Sequence, residues 1–107
     1  MVVAGIDAST KATGISIMQD GELLFYKLID IHKERDAMKR IRYMLTKICE
    51  VLDQYDIDAI YIEKAFGGGN VDTTIKLANL SGGIMLYCIQ KEIEFNNPLP
   101  SQWRKLV

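Results

Sequence analysis

Two apolar runs in this sequence each end abruptly on a carboxylate, and that repetition restricts how the chain can fold. Met1 to Ile6 reads as a strand running into Asp7. Asp58-Ala-Ile-Tyr-Ile62 reads as another, running into Glu63. Leaving a carboxylate buried and unpaired is costly. An acid at the rim of a buried sheet therefore needs a partner, which can be backbone N–H groups, a lysine or a metal ion. Simple capping of the turn is the plainer alternative. If the two strands are parallel neighbours, both acids lie at the C-terminal edge of one sheet.

The intervening sequence supplies such a sheet. After Asp7 comes a turn of small residues, Ala8 to Gly14, and a second strand from Ile15 to Met18. Gln19-Asp20-Gly21-Glu22 is a hairpin signal, with Asp-Gly between two apolar runs. A third strand spans about Glu22 to Ile29. A helix is expected from about Lys33 to Tyr55. There Met38, Ile41, Leu45, Ile48, Leu52 and Tyr55 recur at spacings of three and four and form one apolar stripe. Lys39, Arg40, Lys47 and Asp53 fall off that stripe. Strand, helix and the strand from Ala59 to Ile62 make a crossover unit, which implies parallel pairing. The sheet is thus expected to be mixed.

Gly67-Gly68-Gly69 reads as a flexible loop. A phosphate loop of the Walker type would end in Gly-Lys-Ser/Thr, whereas this one ends in Gly-Asn-Val. Asn70 is a good N-cap, with Asp72 well placed in the first turn. A second helix is expected from Val71 to Lys91. Its apolar residues cover far more than one face, and Gly82-Gly83 lies mid-helix, where glycine costs about 1 kcal/mol relative to alanine. Such a helix needs cover on two sides. The sheet is one, and a second subunit meeting Gly82, Met85 and Ile89 is the expected other. Glu92 to Asn97 reads as a short last strand. Pro98 onward reads as a loop, with Ser101 as the N-cap of a third helix. The chain stops a turn and a half into that helix, so one domain, incomplete at its C-terminus, is expected.

At 107 residues the chain is one small domain, and 49% hydrophobic with 25% charged is ordinary for a soluble globular protein. No apolar run approaches the roughly 20 residues needed to span a membrane, and no secretion signal opens the chain. Cytoplasmic location and reduced, buried thiols at Cys49 and Cys88 are expected. His32 is the sole histidine, so a Cys/His zinc site has no ligand set. Net charge is -1, yet six bases and two acids lie from Lys33 to Lys47, and five acids and no base from Glu50 to Glu63. A local basic surface can meet phosphate without a basic total; a solvated helix face explains the same run equally well.

The order of elements, and more closely the residues, resemble the RuvC family of Holliday-junction resolvases. Gly5-Ile6-Asp7-x-Ser9 with Thr13-Gly14 is similar to the family's first-strand motif. Ile62-Glu63 with Phe66, Asn70, Asp72 and Lys76-Leu77 is similar to its second. Gln102-Trp103-Arg104-Lys105 falls where the family begins its third large helix. The resemblance implies an α/β, RNase H-like fold with a mixed five-stranded sheet. It implies that Asp7 and Glu63 are the first two catalytic, metal-binding carboxylates of a two-metal nuclease. Hard oxygen ligands suit Mg²⁺, or Mn²⁺, and a pair of ions roughly 3.5–4 Å apart suits phosphodiester hydrolysis. Phe66 matches an aromatic that contacts unstacked bases, where stacking is worth about 1–3 kcal/mol per base. Lys11, Lys64, Lys76 and Asn70 fall among the candidate DNA contacts, although each lysine reads equally as plain surface. The implied partner is a four-way DNA junction, handled by a homodimer in recombination and repair.

The sequence departs from the family in one respect that bears on activity. The family completes its site with two further acids on a late helix, and no Asp or Glu follows Glu94 here. These 107 residues alone are therefore expected to be inactive or nearly so. The glycine triplet also replaces a bulkier, basic segment. Two other readings compete with a junction endonuclease. One is a branched-DNA-binding or dimerisation module that does not cut. The other is a piece of an actin-like or sugar-kinase ATPase, whose first motif also begins Gly-x-Asp-x-Ser/Thr; the second phosphate motif of those proteins is missing.

Overall fold

A computed structural model describes residues 1–8, 12–31, 33–63 and 70–98. Five strands and two helices follow in the order β1 (Val2–Ala8), β2 (Ala12–Gln19), β3 (Glu22–Asp30), α1 (Ala37–Leu52), β4 (Ala59–Ile62), α2 (Val71–Lys91) and β5 (Glu94–Asn96). The sheet order is β3-β2-β1-β4-β5. β1 pairs antiparallel with β2 and parallel with β4, so the sheet is mixed as the pattern requires.

The β2–β3 turn follows from two residues. Asp20 and Gly21 both have positive φ, 52° and 82°, between the paired residues Gln19 and Glu22. Both central residues with positive φ give a two-residue turn whose twist suits a hairpin. A bulge follows, since Ile17 pairs with Phe25 but Met18 with Leu23.

Ala4, Ile6, Ile15, Ile17, Ile29, Ile60 and Ile62 form one buried face of the sheet. Met44, Ile48, Val51 and Leu52 of α1 and Leu80, Ile84 and Cys88 of α2 complete that core. Fully burying one such side chain is worth about 1.5–3 kcal/mol. The other face bears Ser16 paired with Tyr26, and Gly5 paired with Tyr61. On β3 it leaves Leu23, Tyr26 and Leu28 more than half exposed.

The structure revises several expected boundaries. β1 continues through Asp7 to Ala8, and β2 begins at Ala12. α1 is shorter than the periodicity predicts, because Asp36 caps it by accepting from the Lys39 amide at 3.0 Å. The inward stripe is also rotated. Met38 is 73% exposed while Arg40 is buried. Arg40 can face inward because its Nη1 donates to the Glu34 carbonyl at 2.7 Å, and its stem packs as apolar surface does. α2 keeps its predicted ends. Asn70 accepts from the Thr73 amide at 3.1 Å, and Glu92 closes the helix in the left-handed region. β5 is shorter than expected. Cys49 is half-buried and only Cys88 is buried; both are free thiols. Gly67 to Gly69 and the segment from Ser101 onward lie outside the described residues.

Candidate active site

The parallel register between β1 and β4 brings the two acids together. Val3 pairs with Ala59, Ala4 with Ile60, Gly5 with Tyr61 and Ile6 with Ile62. Asp7 is the next residue of β1 and Glu63 follows directly on the end of β4, and adjacent strands lie about 4.8 Å apart. Strand side chains alternate between faces. Ile6 and Ile62 point into the core, so Asp7, still within β1, projects from the opposite face, and Glu63 follows β4 at the same edge. Asp7 is exposed and Glu63 is half-buried. Beside Asp7 on β2 stands Gly14, its cross-strand partner. A Cβ placed on Gly14 would come within 3.1 Å of the Tyr26 hydroxyl. The glycine thus lets the Tyr26 ring lie over β2 at the residue that pairs with Asp7. Sequence reading did not mark Tyr26, because only the strand register brings it there.

The other expected contacts divide. Lys76 pairs with Asp72 at 2.6 Å along the first turn of α2, so its charge is already engaged. Asn70 uses its side-chain oxygen as the α2 cap. Lys11, Lys64 and Phe66 lie outside the described residues. Gly82, Met85 and Ile89 are all exposed, and with Val71 and Ile75 they line one side of α2. A Cβ on Gly82 would meet nothing within 4 Å, whereas Gly83 is covered by Leu45 of α1, whose Cδ1 would lie 2.6 Å from such a Cβ. The two glycines therefore serve different neighbours: Gly83 lets the two helices meet, and Gly82 faces open space.

At the far end of the sheet, where β4 begins, a cleft of about 280 Å³ is lined by Asp53, Asp56 and Asp58 with Tyr55, Tyr87 and Lys91. Its three aspartates disfavour a phosphate chain, and Asp58 is engaged with the Val2 amide at 2.7 Å. Tyr87 donates to Asp53 at 2.6 Å. Burial, then this hydrogen bond, raise the Tyr87 hydroxyl well above its ordinary value.

Among the described residues no group of three or more His, Cys, Asp or Glu could hold a metal ion. Asp7 and Glu63 offer hard carboxylate oxygens, which suit a hard divalent cation in type.

Residues 3–107 match the family described as crossover junction endodeoxyribonuclease RuvC. The chain belongs to the RuvC family. It is 30% identical over 105 residues to the crossover junction endodeoxyribonuclease RuvC of Dictyoglomus turgidum, covering 92% of this chain and 66% of that protein. It is 27% identical to the RuvC of Caldicellulosiruptor saccharolyticus, covering all of this chain and 68% of that protein. Among solved structures it is similar to T. thermophilus RuvC in complex with Holliday junction substrate. The TM-score is 0.84 at 20% identity, with 98% of this chain and 68% of that chain covered. That likeness establishes the RNase H-like fold. The chain spans about two thirds of the length of these relatives.

Proposed function

We propose that this chain is the carboxylate-bearing, RNase H-like domain of a metal-dependent endonuclease acting on four-way DNA junctions. The observation that carries the reading is the parallel pairing of Ile6 with Ile62, which sets Asp7 and Glu63 directly after paired residues at one edge of the sheet, in a family whose members are named as crossover junction endodeoxyribonucleases.

Asp7 and Glu63 would hold Mg²⁺ or Mn²⁺, and the bound ion supplies Lewis acidity toward a phosphodiester. The chain's own part is placement. The strand pair sets the spacing of the two carboxylates, and Gly14, which pairs with Asp7, makes room for the Tyr26 ring. The exposed bases Lys33, Arg35, Lys39 and Arg42 lie between the end of β3, which pairs with the start of β2, and the first turns of α1, where they would draw a polyanion toward that end of the domain. The three-aspartate cleft at the other end repels it. We propose a homodimer through the exposed line of α2, since two symmetric nicks in a junction need two sites. No helix among the described residues is long and apolar enough to cross a membrane, and a cytoplasmic location fits a DNA substrate.

A second reading draws on the two-acid site. With no third ligand among the described residues, the domain could bind branched DNA without cutting it. Two measurements separate these readings. One is Mn²⁺ titration of the chain beside Asp7→Asn. The other is competition between a synthetic four-way junction and linear duplex of the same sequence. The nuclease reading expects junction preference together with Mn²⁺ binding that the substitution removes. Junction preference with Mn²⁺ binding indifferent to Asp7 supports the binding module. Equal affinity for junction and duplex contradicts both.

A further inference from the structure

We infer that Asn97 is a positioning residue for Glu63, an assignment that builds on the reading of Asp7 and Glu63 as metal ligands. β5 runs parallel to β4 with Ala59 opposite Glu94, Ile60 opposite Phe95 and Tyr61 opposite Asn96. The Glu94 amide donates to the Asp58 carbonyl at 3.2 Å, which sets the phase of the ladder. In a parallel pair every second residue turns its N–H toward the same neighbour, at even spacing. The following donors in this phase belong to residues 96 and 98. The acceptor for residue 98 is the Ile62 carbonyl, and residue 98 stands opposite Glu63.

Residue 98 is a proline, which has no N–H to give. The ladder would stop there and leave the Ile62 carbonyl without its donor in a part-buried position. The Asn97 side chain fills that place, its Nδ2 donating to the Ile62 carbonyl at 2.7 Å. The hydrogen bond falls on the peptide that joins Ile62 to Glu63. That unit is planar, so holding its carbonyl also holds the amide of Glu63 and the direction in which its Cα–Cβ bond leaves the strand. Asn97-Pro98 thus ends the strand pairing and lets the main chain diverge, while the last β4 peptide stays fixed beside the candidate site.

The test uses Asn97→Ala and the double variant Asn97→Ala/Pro98→Ala, in which residue 98 regains an N–H able to reach Ile62. Three quantities are read: the thermal midpoint, the NMR shifts of the Ile62 carbonyl and Glu63 amide, and Mn²⁺ affinity from the resonance of the free ion. Groups that orient metal ligands typically contribute about tenfold or more to affinity. The single variant should lose about that factor and move both resonances, and the double variant should recover most of both. If Asn97→Ala fails to fold, the comparison passes to the double variant against the native chain. A single variant with native Mn²⁺ affinity and unmoved resonances would overturn the assignment. So would a folded double variant that recovers neither affinity nor shifts. Asp7→Asn is the control for the underlying reading. If it leaves Mn²⁺ binding intact, the metal site is wrong, and Asn97 is then judged on the Ile62 and Glu63 resonances alone. Displaced resonances restored by Pro98→Ala support it, and unmoved ones overturn it.

Discussion

Asp7 keeps its carboxylate in solvent at the end of a strand whose preceding side chain, Ile6, is fully buried. One residue of travel along a strand changes the face, and this lets a charged side chain sit directly against a closed core. The same residue-scale logic governs Cys88. Burial, then the neighbouring Cys49, raise its thiol from 9.0 to about 11. The folded chain therefore prefers the protonated thiol. That contribution to stability is complete below the unfolded value and is lost as pH rises from about 9 through about 11. Urea denaturation across that window should show native stability falling, and Cys88→Ala should flatten part of the fall. Parallel curves for the two proteins would remove Cys88 from the alkaline transition.

At the scale of elements, α2 carries its instructions locally and α1 does not. Asn70 at the cap, Asp72 in the first turn and Lys91 in the last are all visible as residue types, and the predicted ends match the observed ones. The inward face of α1 differs from the apolar stripe because a count of apolar side chains omits an arginine whose Nη1 reaches a nearby carbonyl. It also placed Met38 inside, where the structure exposes it. Three substitutions in α2 separate the roles argued here. Asn70→Ala should cost about 1 kcal/mol through the lost cap. Gly82→Ala, which meets nothing, should gain about 1 kcal/mol of helix propensity. Gly83→Val should cost about 1–3 kcal/mol through overpacking against Leu45. Chemical denaturation measures all three, and equal effects at Gly82 and Gly83 would contradict the distinction between them.

For the molecule as a whole, the succession of strands and helices along the chain and the mixed sheet were legible in the sequence, because each rests on apolar runs and turn residues. Tyr26 over Gly14 and Asn97 behind Glu63 were not, because both depend on which residues stand opposite one another across strands. The exposed line of Val71, Ile75, Gly82, Met85 and Ile89 belongs to this scale too. Gly82 is exposed and a Cβ there meets nothing, so if the proposed dimer forms through this line, Gly82→Trp should shift the mass in solution from dimer to monomer by light scattering. An unchanged dimer would move the interface elsewhere.

In the function proposed, Asp7 and Glu63 act as one metal-dependent site, and junction cleavage tests that most directly. The measurement is Mg²⁺-dependent nicking of a synthetic four-way junction by the protein expressed from its complete reading frame, beside Asp7→Asn and Glu63→Gln. The expected result is paired symmetric nicks from the native protein and a loss of at least about a hundredfold in either variant, of the order set by outright removal of a group that stabilises charge in the transition state. Native-rate cleavage by either variant would contradict the site.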